Sequence, residues 1–190
     1  DTTITKTGDS DGGDTSNFYG NNSGITAKDG AALTLKNMKI TTDASGANGV
    51  FSYGGSATTN NSSGDGTSVT ISDSEITTTG DNAGGIMTTG GGTMTASDLT
   101  INTSRRSSAA IRTDRGGSVD VTGGTYTTTG IGSPSVYSTA DIIVSNAKLV
   151  AKSSEGIVIE GKNSVTLNDC TLTDSNTELN GQSTIYKNIF

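Results

Sequence analysis

Along this chain an apolar residue is followed two positions later by Asn, Asp or Gly, and five positions later by a second apolar residue, usually with Thr after it. Leu35-Lys36-Asn37-Met38-Lys39-Ile40-Thr41 is one copy, and the others centre on Asp73, Asp98, Gly123, Asn146 and Asp169. A second marker, a small residue followed by Ile or Val, falls at Ile25, Val50, Ile86, Ile111, Val136 and Ile157, with spacings of 25, 36, 25, 25 and 21 residues. From each marker to the next apolar landmark (Leu35, Ile71, Ala96, Val121, Val144, Leu167) is 10 residues in four of six copies, and 21 and 8 in the others.

Each unit contains three short alternating runs, such as Ile25-x-Ala27, Leu33-x-Leu35 and Met38-x-Ile40. A period of two marks a strand with one buried face. With Gly-rich corners and no helical periodicity, three such strands make one coil of a parallel β-solenoid. The expected fold is all-β: a right-handed parallel β-helix of three sheets, with six to seven coils of about 25 residues. Residues 1–24 read as an N-terminal strand and cap, and 25–190 as one domain of coils.

Composition would mislead without the pattern. Only 29% of residues are hydrophobic and 27 of 190 are Gly, a profile that suggests disorder in an unpatterned chain. Here the apolar residues are confined to inward positions, so a thin core can run the length of the stack. Because each coil buries its face only against its neighbours, no isolated repeat should fold. A net charge of -7 argues against nucleic acid, which selects basic surfaces. No stretch approaches the roughly 18 apolar residues of a membrane span, so membrane insertion is not expected. The single cysteine, Cys170, excludes an internal disulfide and shares an inward column with Met38, Ser74, Leu99, Gly124 and Ala147.

The ends depart from the repeat. Residues 8–24 interrupt it just before the first full coil, where a solenoid must shield its open end, and Phe18 and Tyr19 are the expected plug. Ser183 to Phe190 reads as the start of a seventh coil ending on the apolar pair Ile189-Phe190. An uncapped end of this kind invites pairing, so end-to-end association or continuation in a longer chain is expected there.

Alternation also identifies the outward columns. One position after each marker stand Thr26, Phe51, Met87, Arg112, Tyr137 and Val158; two further on stand Lys28, Tyr53, Thr89, Asp114, Thr139 and Glu160. The chain has five Tyr and three Phe, and three of these aromatics lie in the two columns. Flat rings stack on the apolar faces of sugars while charged groups bond hydroxyls or acid groups. Phe51, Tyr53, Arg112, Asp114 and Tyr137 are therefore the candidate polysaccharide-binding residues. Cross-strand packing of outward aromatics is the structural alternative. All four arginines, Arg105, Arg106, Arg112 and Arg115, fall in one coil. They could grip an acidic polymer bidentately, or they could balance Asp98, Asp114 and Asp120.

Asp9, Asp11 and Asp14, on a Gly-containing loop, are the candidate calcium ligands, because hard cations need several oxygens on a tight turn. The loop lacks the closing Glu of an EF-hand and could equally be a solvated acidic cap. Asp65, with Asn60 and Asn61 in the 55–68 loop, is a weaker candidate. Outward Thr columns (Thr34, Thr70, Thr95, Thr166 and Thr41, Thr77, Thr127, Thr173) suggest an ice-binding array. Asp120, Ile143, Asn102 and Val150 interrupt them, and β-propensity explains them more cheaply. The recurring Asn37, Asp73, Asp98, Asn146 and Asp169 are expected at a left-handed corner between two strands.

Across nearly all of the 190 residues, the segments GDSDGGD, GANGVFSYGG, GGIMTTGGGTM, SSAAIRTDRGG, GSPSVYSTADI and EGIVIEGKNSVTLNDCTL resemble the secreted carbohydrate-binding β-helix family of anaerobic, polysaccharide-degrading bacteria. The resemblance implies an extracellular or cell-surface, calcium-dependent, polysaccharide-binding or adhesin-like module. Without His, acyl-transfer and thiol mechanisms have no support. The enzymatic alternative is a calcium-dependent polysaccharide lyase. Arg112 with Asp114 is the one pairing on a sheet face that could serve it, and too few acids lie near in sequence. A non-catalytic carbohydrate-binding module is the expected function, with an adhesive stalk as the other alternative.

Overall fold

One residue makes each corner between two strands possible. Asn37, Asp73, Asp98, Gly123, Asn146 and Asp169 all adopt the left-handed conformation, with φ of 54°, 49°, 52°, 72°, 54° and 51°. Asn, Asp and Gly tolerate this region where branched residues do not. A computed structural model describes residues 1–10, 12–55, 63–176 and 188–190. Within them each corner turns the chain from one short strand into the next, and the strands stack into three parallel sheets.

The leading sheet holds Ile25–Ala27, Val50–Tyr53, Ile86–Thr89, Ile111–Asp114, Val136–Ser138 and Ile157–Ile159. The middle sheet holds Ala32–Lys36, Ser68–Ser72, Thr93–Ser97, Ser118–Thr122, Asp141–Ser145 and Ser164–Asn168. The closing sheet holds Thr2–Thr7, Met38–Asp43, Glu75–Thr78, Thr100–Thr103, Thr125–Thr128, Lys148–Ala151 and Thr171–Asp174. Each strand pairs in parallel with its equivalent in the next coil, giving an all-β parallel β-helix of about six coils. The markers pair in one unbroken column from Ile25 to Ile157, and the landmarks in another from Leu35 to Leu167. The irregular coils therefore place their length changes between strands, where the ladder is indifferent to them.

The core is the inward set of these columns. Val50, Ile71, Ile76, Ile86, Ile101, Ile111, Val136 and Leu149 are fully buried in one continuous cluster. Cys170 is half-buried at its edge and unpaired. Beside it runs a polar device at the turn after the closing sheet. Thr42, Thr78, Thr103 and Thr128 are buried, and each hydroxyl donates to the carbonyl five residues on, at Ala47, Ala83, Ser108 and Ser133. A turn carbonyl inside the stack has no water to bond, so a side-chain donor satisfies it.

The segment before the first coil does not plug the open end. After Thr2–Thr7 adds a rung to the closing sheet, the chain forms a short helix, Asp14–Asn17, and crosses the outside of the leading sheet. There the Thr89 hydroxyl donates to the Phe18 carbonyl, and the Thr26 hydroxyl donates to the Gly20 carbonyl at 2.6 Å. Phe18 and Tyr19 instead lie against Arg115 and Tyr53 on that face, a cation over one ring and a ring beside the other. At the other end Ile189 bridges to Ile157 and the Ile159 amide donates to the Phe190 carbonyl at 2.7 Å, so residues 188–190 begin a further rung. Ile189 and Phe190 remain exposed.

Candidate functional site

The outward face of the leading sheet divides into two halves. In the half nearer the N-terminus, Phe51 points away from the core as its column requires, yet it is 0% exposed. Residues 18–20 cover it. A Cβ on Gly20 would lie 2.5 Å from the Phe51 ring, so only glycine, with φ of 68°, lets the crossing segment lie this close. Met87 and Thr89 are covered as well. The Tyr53 ring stands 5.2 Å from that of Tyr19, and partial burial first, then the neighbouring Tyr19 and Asp65, raise its hydroxyl above the usual tyrosine range. Arg115 stacks 3.7 Å over the Phe18 ring and pairs with Asp14 at 3.3 Å. The expectation of an open aromatic ladder from Phe51 to Tyr137 is corrected here: Phe51 is an internal contact, and Tyr53 is half-buried against Tyr19.

In the other half the face is open. Arg112, Tyr137 and Val158 stand side by side on consecutive strands. They line a cleft of about 440 Å³ with Glu155, Glu160 and Phe190. The Arg112 side chain is only 16% exposed; its guanidinium lies 3.5 Å from the Asp114 carboxylate and 5.3 Å from the Tyr137 ring centre. Its Nε has no hydrogen-bond partner among the described residues. The Thr139 hydroxyl donates to Asp114 at 3.1 Å, and the Tyr137 hydroxyl donates to Glu160 at 3.0 Å. Burial first, and Glu160 after it, hold the Tyr137 hydroxyl well above the ordinary tyrosine range. Of the sequence candidates, the structure brings Arg112, Asp114 and Tyr137 together and leaves Phe51 and Tyr53 under the crossing segment.

Glu155 was not among the residues expected at the site. It is 5% exposed, and its carboxylate accepts from the Ser154 hydroxyl at 3.2 Å. A signal was present: two positions before the markers stand Ser23, Asn48, Gly84, Ala109, Pro134 and Glu155, and only the last is ionisable. The acids near Arg112 are separately engaged, and among the described residues no three His, Cys, Asp or Glu converge.

The calcium candidates do not gather in the described residues. Asp9 accepts from the Ser45 amide at 2.7 Å, Asp14 pairs with Arg115, and Asp11 lies outside the described residues. Asp65 accepts from the Thr67 amide and hydroxyl, at 2.9 and 2.6 Å, which lowers its carboxyl below the usual range; Asn60 and Asn61 also lie outside the described residues. The donors seen here do not fit a metal site. The four arginines do not form one island either, since Arg112 pairs with Asp114 and Arg115 with Asp14, while Arg105 and Arg106 are exposed on a turn.

Compared with protein-family models, with curated proteins and with solved structures, the chain matches none.

Proposed function

We propose that the protein is a non-catalytic, extracellular glycan-binding β-helix module whose site is the cleft around Arg112, Tyr137 and Glu160. The observation that carries the reading is the cleft itself. It places an aromatic ring, a guanidinium and a carboxylate on successive rungs of one open sheet face, bounded by the apolar Val158. Rungs are about 4.8 Å apart, so three of them offer a short oligosaccharide a ring to stack on and charged groups for its hydroxyls. The crossing N-terminal segment covers the rest of the face, which limits the run to these coils.

Calorimetry against oligosaccharides of increasing length tests it. Affinity should rise with length and level off at about three rungs. Tyr137→Ala should weaken binding about tenfold, or about 1.4 kcal/mol, with little change in melting temperature. Tyr53→Ala should leave binding unchanged. If the parent retains no glycan on a broad array, the protein is a stalk and not a binding module. New unsaturated ends absorbing in the ultraviolet would instead make it a lyase.

A further inference from the structure

We infer that the cleft is selective for a sugar carrying a free amine, with the Glu155 carboxylate as the group that receives the ammonium. The inference rests on the glycan-binding reading and narrows its ligand class. A carboxylate this deeply buried loses most of its hydration, and proteins ordinarily match such a charge with a cation. Glu155 has one hydroxyl, that of Ser154, and no paired Lys or Arg among the described residues. Arg112 shares the cleft, but its charge is taken by Asp114 and its guanidinium faces Tyr137. Glu160, at the exposed rim, holds a single hydroxyl. Among the described residues the cleft therefore presents two carboxylates, Glu155 and Glu160, with no salt-bridged cation. Glu155 also acts on Asp174, whose carboxyl is raised above the usual range by burial first and, after it, by Glu155.

The fold does not require an acid at this place. The equivalent positions in the other coils are Ser23, Asn48, Gly84, Ala109 and Pro134, and the turn closes with each of them. A protonated amine supplies three donors and the missing charge, while the apolar face of the same sugar can lie on Tyr137. An acidic polymer would meet like charges and a guanidinium already paired.

Titration calorimetry with glucosamine oligomers, their N-acetylated counterparts, neutral glucose oligomers and galacturonate oligomers decides the matter. The amine series should bind the parent protein at least tenfold more tightly than the acetylated series, with galacturonate weakest. Glu155→Gln should bring the amine series down to the affinity of the neutral one and leave the neutral one unchanged. Equal binding of amine and acetylated oligomers, or tightest binding of galacturonate, overturns the inference while the glycan reading stands. Failure of every oligomer to bind overturns both. Should Glu155→Gln melt far below the parent, the four series on the parent protein decide alone. That comparison does not depend on the variant folding.

Discussion

Ile111 and Thr100 belong to neighbouring coils, and their side chains lie on opposite phases of the alternation. Ile111 is wholly buried in the column of markers, and Thr100 is exposed on the closing sheet. Ile111→Asp puts an uncompensated charge into the continuous apolar core. A loss of several kcal/mol is expected in urea unfolding, against less than about 0.5 kcal/mol for Thr100→Asp. Similar losses in the two variants would mean that the register is wrong. Tyr126 shows the opposite case, a polar atom that the core tolerates. It is fully buried in the column of Ile76, Ile101 and Leu149, and its hydroxyl has no partner among the described residues. Gly124 gives that ring its room, since a Cβ there would meet the Leu99 carbonyl at 2.3 Å and the Tyr126 hydroxyl at 3.1 Å.

At the scale of the element, the short strands hold because their turns are closed from within. The hydroxyls of Thr42, Thr78, Thr103 and Thr128 repeat one bond in four coils. Thr103→Val keeps the shape and removes the donor, leaving the Ser108 carbonyl without that bond. The expected cost is about 1–3 kcal/mol, read from the denaturant midpoint. Thr127→Val, on the outward phase of the same sheet, should be neutral or slightly stabilising because valine favours strands. Equal effects would show that the buried hydroxyl contributes nothing. The crossing segment of residues 14–20 is held in a different manner, by the Arg115 contacts to Asp14 and Phe18 and by the Thr89 bond to the Phe18 carbonyl. These bonds tie the segment to the coils of Thr89 and Arg115, and so it covers that part of the leading sheet.

The whole molecule behaves as a stack in which each coil is stabilised by its neighbours, so a proton-linked change in one coil is felt by all. Burial raises the hydroxyls of Tyr126 and Tyr137 well above the usual tyrosine range, and raises Tyr53 as well. The folded protein keeps these phenols protonated where the unfolded chain loses them, so their contribution is full below the unfolded value of about pH 10. Stability should then fall as the pH rises beyond it toward the folded values. Melting curves between neutral pH and pH 11, with phenolate absorbance followed in parallel, measure the fall. Tyr126→Phe should reduce it and cost little at neutral pH, because the hydroxyl it removes is unpartnered. An alkaline fall unchanged in that variant would place the linkage elsewhere.

The repeat is a nearest-neighbour code, and the sequence by itself determined whatever such a code can carry. The columns headed by Ile25 and Leu35, the left-handed corners from Asn37 to Asp169, the outward phase of Arg112, Asp114 and Tyr137, and the rung begun at Ile189 all follow from alternation and spacing. A strand needs only its neighbour in the next coil to know which face is buried. Only the tertiary structure decided that Phe51 is covered, that Phe18 and Tyr19 lie on the sheet face, that Asp14 pairs with Arg115, and that Glu155 lines the cleft beside Arg112. Asp14 and Arg115 are 101 residues apart. Contacts across several coils, made by segments that do not repeat, have no period to announce them, and they arise from which surfaces the finished stack happens to bring within reach.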